Sequence, residues 1–201
     1  MQNRKAIFLD KDGTLIPNIP YNIDPEQISL MPGAASALMR LQTQGYIFVV
    51  ISNQAGVAKG LFQESDLLGV KQKVESLLYS EGIELSGFYY CPHHPDGLVA
   101  EYRLNCGCRK PNDGMIRTAA RELSIDLERS WMIGDILNDV EAGNRAGCRS
   151  ILLNHGNETE WVDGPFRKPD FVAADLVQAA DFITKTSIYG KYDNQDLSVT
   201  Y

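Results

Sequence analysis

The stretch Ile7-Phe8-Leu9-Asp10-Lys11-Asp12-Gly13-Thr14-Leu15 decides the fold of this chain. An apolar run ends in one aspartate, and a second aspartate follows two residues later, before a glycine that lets the backbone turn. Two carboxylates held close together raise each other's pKa and resist burial, whereas a divalent cation such as Mg²⁺ stabilises the pair. Taken alone, the stretch fits a metal site and an ordinary strand with a polar turn equally well.

The composition of the 201 residues indicates a single globular domain, since 44% of them are hydrophobic and 22% are charged. The formal net charge of −7 argues against a nucleic-acid partner, because a polyanion would be repelled. No apolar run approaches the roughly 20 residues of a membrane helix, and the first residues lack the apolar region of a signal peptide. We expect a cytoplasmic monomer without a membrane partner, with its cysteines reduced, buried or bound to a metal.

Apolar runs alternate along the chain with segments of helical periodicity. The runs predict six strands, the first within the opening stretch and the others at 46–51, 88–90, 131–133, 150–153 and 171–174. Helical spacing predicts helices at 33–44, 64–81, 114–123, 139–146 and 176–183. This alternation predicts an α/β fold in which helices cover both faces of a parallel sheet. We expect one domain over residues 1–186 and a disordered polar tail over 187–201.

Polar side chains follow four of the predicted strands, and parallel sheets bind ligands at the carboxyl ends of their strands. These side chains are Asp10 and Asp12, Ser52 and Asn53, Arg109 and Lys110, and Asp135 with Asp139. Carboxylates, a hydroxyl group and cations gathered at one edge are the groups that bind a metal ion and a phosphate. The sequence therefore predicts a phosphoryl-transfer site at this edge of the sheet.

The chemistry of phosphoryl transfer assigns a role to each side chain. Asp10 would be the nucleophile that forms an aspartyl phosphate, and Asp12 would be the general acid and base. Ser52 and the N–H groups beside it would hold phosphate oxygens. Lys110 would neutralise the phosphoryl charge and keep Asp10 ionised, because a nearby cation lowers the pKa of a carboxyl group.

A magnesium site is expected beside the nucleophile. Mg²⁺ takes oxygen ligands and is usually held by one or two carboxylates together with substrate phosphate. We assign it to the carboxylates of Asp10 and Asp135 and to the main-chain carbonyl of Asp12. Asp139 is expected to cap the helix that it opens.

A second metal site is predicted in the loop after the third strand. Its four candidate ligands are Cys91, His93, Cys106 and Cys108. Three thiolates and one imidazole form a closed tetrahedral set that suits structural Zn²⁺, although one-residue spacings are tighter than the usual finger pattern. Because Arg109 and Lys110 directly follow Cys108, zinc would order the loop that delivers both cations to the site.

Four motifs resemble, in their order, those of the haloacid dehalogenase (HAD) superfamily. They are Asp10-Lys11-Asp12-Gly13-Thr14, Ser52-Asn53-Gln54, Lys110-Pro111, and Gly134-Asp135 with Asp139. The resemblance implies a Rossmann-like HAD fold, Mg²⁺ dependence and the aspartyl-phosphate mechanism, and the second aspartate is the phosphatase pattern. No insertion between the motifs is long enough for a cap domain, so loops 16–22, 55–61 and 91–111 would shape the pocket.

The zinc loop makes the chain similar, within the cap-less subfamily IIIA, to the heptose-bisphosphate 7-phosphatase and histidinol-phosphatase family. The runs that carry this resemblance are Cys91-Pro92-His93-His94-Pro95 and Cys106-Gly107-Cys108-Arg109-Lys110-Pro111. It implies a small phosphorylated sugar as substrate and removal of the 7-phosphate of D-glycero-D-manno-heptose 1,7-bisphosphate. Arg109 would join the catalytic residues and help select the bisphosphate through its planar guanidinium group. The other implied substrate contacts are Asp10, Lys11, Asp12, Asn18, Ile19, Pro20, Tyr21, Ser52, Asn53, Gln54, Ala55 and Lys110.

Two alternatives remain open. A phosphatase for histidinol phosphate, or for another small phosphorylated metabolite, would carry the same motifs, and Ile136 stands where the heptose enzymes commonly have a substrate-contacting lysine. A zinc-loop module that binds nucleic acid is the alternative outside enzymes, although the net charge of −7 argues against it. Residues 154–161 match no role, and we expect them to form a surface loop.

Overall fold

Six parallel strands form one sheet in the computed structural model, which describes residues 4–189. The strands are β1 (Lys5–Leu9), β2 (Tyr46–Asn53), β3 (Leu85–Cys91), β4 (Trp131–Gly134), β5 (Arg149–Leu153) and β6 (Phe171–Ala173). Their order across the sheet is β3-β2-β1-β4-β5-β6. The prediction of a parallel sheet built from six strands is confirmed.

The helices lie on both faces of the sheet, as expected. They are α1 (Ala34–Thr43), α2 (Ala55–Ala58), α3 (Leu67–Ser80), α4 (Gly114–Leu123), α5 (Leu137–Ala146) and α6 (Leu176–Tyr189). Buried side chains of α1, α3 and α6 share one hydrophobic core, and those of α4 share a second core with part of α5. The sheet separates these two cores.

Strand β1 shows why a run that is apolar on both faces belongs at the centre of the sheet. Ile7 and Leu9 join the core beneath α1, α3 and α6, whereas Ala6 and Phe8 join the core beneath α4. All four side chains are 0% exposed. Burying a large apolar side chain contributes about 1.5–3 kcal/mol, so this strand is most stable where helices cover both faces.

Three of the differences from the sequence prediction concern the site or the predicted tail. The turn expected after β2 contains the short helix α2, whose four residues are too few to show a periodic pattern. Helix α5 begins at Leu137, before Asp139. Helix α6 continues to Tyr189, so residues 187–189 of the predicted tail are helical, and the rest of that tail lies outside the described residues. Between residues 4 and 189, no helix is long and apolar enough to cross a membrane.

The chain reverses its direction across the sheet beside β1. It proceeds from β1 to β2 and β3 on one side, and then returns to β4 on the other side of β1. The loops that leave β1 and β4 therefore diverge and open a crevice at the carboxyl ends of the strands. Asp10 directly follows β1 and Asp135 directly follows β4, so both lie at this crevice.

Candidate active site

The carboxylate of Asp10 and the ammonium group of Lys110 form the centre of the site. Lys110, from the loop after β3, donates to Oδ1 of Asp10 and, over 2.9 Å, to the carbonyl oxygen of Ile51. Its Nζ also lies 2.6 Å from Oδ1 of Asp139. Burial lowers the pKa of Lys110, but the two carboxylates outweigh this effect and hold the pKa above its ordinary value. Lys110 is therefore a fixed positive charge beside Asp10.

Three aspartates form a group that could hold a metal ion. Carboxylate oxygens of Asp10, Asp135 and Asp139 lie within 4.8 Å of one another, and all three side chains are buried. Burial, together with the charge of Asp10, raises the pKa of Asp135 to about 6. A bound divalent cation would favour the ionised carboxylates and offset this effect. The donor set, which consists of oxygen atoms alone, fits Mg²⁺.

Asp12 lies apart from this carboxylate group. Its Oδ1 accepts a hydrogen bond from Nζ of Lys11 over 2.6 Å, and its Oδ2 accepts one from Nε2 of Gln54 over 3.3 Å. Burial raises the pKa of Asp12, the charge of Lys11 opposes the rise, and the charge of Asp10 adds to it; the result lies above the ordinary value. A carboxyl group with a raised pKa suits the role of general acid.

The turn after β1 requires a glycine at position 13. Gly13 has a φ of +84°, and a Cβ atom there would collide with the side chains of Asp135 and Asn157. The next residue, Thr14, donates from Oγ1 to Oδ1 of Asp135 over 3.3 Å. This close approach joins the turn after β1 to the end of β4, and it brings the first and last predicted motifs into one site.

The polar residues at the end of β2 contact neighbouring segments of the chain. Ser52 is 1% exposed, and its Oγ accepts a hydrogen bond from Nε2 of Gln54 over 2.7 Å. Asn53 holds the main chain of Lys110, since its Nδ2 donates to the carbonyl oxygen and its Oδ1 accepts from the N–H, each over 3.0 Å. Asn53 therefore fixes the position of Lys110, a role that was not expected from the sequence.

A cavity of about 350 Å³ lies over Asp10 and Asp12. All predicted substrate contacts line it except Ser52 and Arg109. Ser52 is buried and does not line the cavity, and the guanidinium group of Arg109 faces the Cys/His loop, where Nη1 donates to the carbonyl oxygen of His93 over 3.4 Å. Loops 16–22 and 55–61, which were expected to shape the pocket, contribute two further lining residues, Asn22 and Gly56.

The four predicted zinc ligands come together at the end of β3. They are Cys91, His93, Cys106 and Cys108, and their ligand atoms lie within 4.8 Å of one another. All three cysteines are free thiols. Burial raises the pKa of the Cys106 thiol, but donors from the neighbouring thiols and from main-chain N–H groups lower it to about 7. Since the thiolate is the form that binds metals, this set of four donors fits tetrahedral Zn²⁺.

Glu64 anchors this loop, although the sequence marks it only as the start of a helix. Its Oε1 accepts a hydrogen bond from the hydroxyl group of Tyr90 over 3.0 Å, and its Oε2 accepts one from Tyr102 over 2.7 Å. One carboxylate thus joins the end of β3 and the middle of the loop to the segment before α3.

The segment 154–161 contributes two residues that sequence reasoning missed. Nδ2 of Asn157 donates to Oδ2 of Asp135 over 2.7 Å, and Oε2 of Glu158 accepts from the N–H of Leu137 over 2.6 Å. Neither periodicity nor spacing distinguishes these polar residues from their exposed neighbours, so no local signal could have identified them.

The sheet and the chemistry at its edge define the class of the protein. A buried lysine pairs with the carboxylate of Asp10 at the end of the central strand, and the pKa of a second carboxyl group, that of Asp12, is raised. These features are those of a HAD-like phosphoric monoester hydrolase. Comparison with protein families agrees, since residues 107–179 match the family described as "HAD-hyrolase-like".

Individual relatives narrow the class to one family. The D-glycero-beta-D-manno-heptose-1,7-bisphosphate 7-phosphatase of Photorhabdus laumondii is 41% identical over 152 residues, which cover 76% of this chain and 81% of the relative. The protein of the same name from Haemophilus ducreyi is 36% identical over 181 residues, with 90% and 98% covered. The chain therefore belongs to the family of the D-glycero-beta-D-manno-heptose-1,7-bisphosphate 7-phosphatases, and the predicted family is confirmed.

A solved structure extends this likeness to three dimensions. The D,D-heptose 1,7-bisphosphate phosphatase from B. bronchiseptica, complexed with magnesium and phosphate, matches with a TM-score of 0.77 and 31% sequence identity. The match covers 90% of this chain and 98% of that one. The HAD fold expected from the motifs is therefore confirmed.

Proposed function

We propose that the chain removes the 7-phosphate of D-glycero-D-manno-heptose 1,7-bisphosphate through an aspartyl-phosphate intermediate on Asp10. One observation carries the proposal: Asp10 lines the cavity, and its carboxylate pairs with the buried ammonium group of Lys110. The activity named for the relatives supports the choice of substrate.

Magnesium would be held by Asp10, Asp135 and the main-chain carbonyl of Asp12. When bound, Mg²⁺ would neutralise charge on the phosphoryl oxygens during transfer. The magnesium in the related heptose phosphatase supports this choice of ion. Asp139 is less suited to be a ligand, because its Oδ1 pairs with Lys110 and its Oδ2 accepts from the N–H of Ile136 over 3.2 Å.

The reaction would proceed in two displacements at phosphorus. In the first, an oxygen of Asp10 attacks the phosphorus atom, the bond to the sugar oxygen breaks, and Asp12 gives its proton to that oxygen. In the second, Asp12 takes a proton from water, whose oxygen attacks phosphorus, and inorganic phosphate leaves with Asp10 restored. The raised pKa of Asp12 supports its role as the proton donor.

The cations and donors around Asp10 would stabilise the transferring group. Lys110 is 3% exposed, so its charge acts without much screening by water. Main-chain N–H groups of the turn after β2 would donate to phosphate oxygens. Ser52 would assist as a further donor, since its Oγ accepts from Gln54 and its own proton is available to donate to a phosphate oxygen.

Zinc would act indirectly, through the order of the loop that carries Arg109 and Lys110. Cys108 directly precedes these cations and Cys106 lies two residues before it, so a metal that holds both thiolates restricts the backbone that follows. Arg109 would turn from His93 toward the substrate and contact its second phosphate. The net charge of −7 supports a partner that is a small molecule, rather than nucleic acid. We propose a cytoplasmic monomer without a membrane partner.

Histidinol phosphate is a second candidate substrate, and Ile136 favours it. Ile136 lines the cavity where the heptose enzymes commonly place a lysine, so the pocket has one positive charge fewer for a second phosphate. The two substrates are distinguished by kcat/KM: a value at least about tenfold higher for histidinol phosphate would overturn the heptose assignment.

Substitution of the nucleophile tests the mechanism. Asp10→Asn keeps the shape of the side chain but removes its charge, and we expect turnover of heptose bisphosphate to disappear while the circular dichroism spectrum is retained. Asp163→Asn, at an exposed aspartate, is the matched control and should have wild-type kinetics. Activity of Asp10→Asn near the wild-type level would exclude the aspartyl-phosphate mechanism.

A further inference from the structure

The loop between β5 and β6 contacts the active site through two adjacent residues. Between residues 154 and 161, Asn157 and Glu158 are half-buried and the other residues are exposed. The side chain of Asn157 contacts Asp135, in the short segment between β4 and α5, and the side chain of Glu158 contacts Leu137, the first residue of α5. This loop was expected to be a surface feature without a role.

Asn157 contacts the carboxylate of Asp135 directly. Its Nδ2 donates to Oδ2 over 2.7 Å, while Oγ1 of Thr14 donates to Oδ1 over 3.3 Å. An ionised carboxylate only accepts hydrogen bonds, so the amide group of Asn157 must present its nitrogen to Asp135. Each carboxylate oxygen thus receives one donor from a different loop, and each keeps lone-pair capacity for a further partner. The rotation of the carboxylate is fixed from both sides.

Glu158 fixes the position of Asn157. Its Oε2 accepts from the N–H of Leu137 over 2.6 Å, at the first residue of α5, and its Oε1 accepts from the N–H of Glu160 over 2.8 Å. A carboxylate at the N-terminus of a helix satisfies a free N–H group and interacts favourably with the helix dipole. Two successive residues of the loop, Asn157 and Glu158, therefore contact Asp135 and Leu137.

The turn after β1 leaves room for this contact only because position 13 is a glycine. A Cβ atom on Gly13 would overlap with both the carboxylate of Asp135 and the amide of Asn157. Three segments of the chain, distant in sequence, therefore meet at Oδ2 of Asp135.

We propose that Asn157 is a positioning residue, which orients the carboxylate of Asp135 for metal binding, while Glu158 holds the loop against α5. The inference rests on the magnesium site of the proposed function. It assigns no contact with substrate to either residue. A ligand side chain that is held in one orientation loses less entropy when the metal binds, and residues that support ligands in this way typically contribute about 10–100-fold to metal affinity.

Direct binding of Mn²⁺, as a paramagnetic substitute for Mg²⁺, tests the proposal without substrate. The purified protein, with its Cys/His cluster left intact, is freed of magnesium and titrated with Mn²⁺ by electron paramagnetic resonance. We expect Asn157→Ala to bind Mn²⁺ at least about tenfold more weakly than the wild type. Asn154→Ala, at an exposed asparagine of the same loop, is the matched control and should bind as the wild type does.

Two further variants make the outcome decisive. Asn157→Leu retains the branched shape of the side chain without its donor, and should weaken Mn²⁺ binding at least to the same extent; it decides the matter if Asn157→Ala does not fold. Glu158→Gln should weaken binding less, because the amide oxygen still accepts from Leu137. Wild-type affinity in both Asn157 variants would refute the positioning role of Asn157 and leave the proposed magnesium site unaffected. Absence of Mn²⁺ binding in the wild type, or unchanged binding in Asp135→Ala, would refute the magnesium site itself and the inference with it.

Discussion

The Nζ atom of Lys110 lies 2.6 Å from Oδ1 of Asp139, and both side chains are buried. Asp139 also accepts a hydrogen bond from the N–H of Ile136 through its other oxygen, so it joins the start of α5 to the lysine. Because the same Nζ donates to Asp10, the position of the nucleophile depends on a carboxylate that need not touch the substrate.

Loss of Lys110 should therefore reduce both stability and activity. In Lys110→Met, the buried carboxylate of Asp139 is left without its cation, and breaking such a pair costs about 3 kcal/mol. Urea denaturation should show this loss, and turnover should become undetectable. Lys71→Met, which breaks an exposed pair with Glu75 at 3.7 Å, should cost less than about 1 kcal/mol. Equal stability losses in the two variants would contradict this account of the pair.

The metal-free protein should become more stable as the pH falls toward 5. Burial and the charge of Asp10 raise the pKa of Asp135 to about 6, from an ordinary value of 3.8. Between these values the folded state binds more protons than the unfolded state, so protonation stabilises the fold and stability declines as the pH rises through the window. When the pH falls from about 7.5 to about 5, we expect protonation of Asp135 to increase the free energy of unfolding by about 1 kcal/mol.

Chemical denaturation at several pH values, without divalent cations, measures this effect. In Asp135→Asn the contribution of this residue should be absent, and saturating Mg²⁺ should suppress it in the wild type, since the metal favours the ionised carboxylate. The same pH dependence in Asp135→Asn as in the wild type would attribute the effect to other groups.

A lysine at position 136 should favour bisphosphate substrates. Ile136 lines the cavity beside Asp135. An added ammonium group there would make the binding free energy of a second phosphate more favourable by about 1 kcal/mol. In Ile136→Lys we expect the KM for heptose bisphosphate to fall roughly fivefold, with little change for a monophosphate. Ile136→Met controls for the change of shape. A similar decrease of KM for both substrates would exclude selection by the second phosphate.

Removal of a zinc ligand should loosen the loop before it affects the rest of the fold. In Cys106→Ser we expect loss of bound zinc, faster hydrogen exchange over residues 91–113, and a higher KM, because the segment that leads to Lys110 is no longer held. Cys148→Ala is the control, since Cys148 is a buried free cysteine outside the cluster. Unchanged exchange and unchanged KM in a zinc-free protein would show that the metal does not order the loop.

The local pattern of the sequence was sufficient to predict the sheet, but it was not sufficient to predict every contact in the site. Continuous apolar runs such as 46–51 identify strands that are buried on both faces, and the residue after each run identifies the edge at which ligands bind. Helix α2 escaped prediction because four residues contain barely one turn of periodicity. Asp139 was expected to open α5, yet it lies within the first turn and caps the helix from inside while it pairs with Lys110.

Contacts between distant segments could not be predicted from either segment alone. Asn157 meets Asp135 across 22 positions of sequence, and nothing in its own neighbourhood distinguishes it from an exposed loop residue. Asn53 was predicted as a substrate contact, and its bonds to the main chain of Lys110 depend on a loop that begins after β3. Such pairs follow from tertiary packing, which places loops of unrelated sequence at the same sheet edge.

The residues that line the cavity are of two kinds, which have different consequences for evolution and for protein engineering. Asp10, Asn53 and Asp135 lie at or directly beyond strand ends, so they move only if the sheet itself changes. Asn18–Tyr21 is a loop between elements, and none of its residues belongs to either hydrophobic core. New leaving groups could therefore be accommodated by exchanging this loop between related enzymes, with the catalytic residues unaltered.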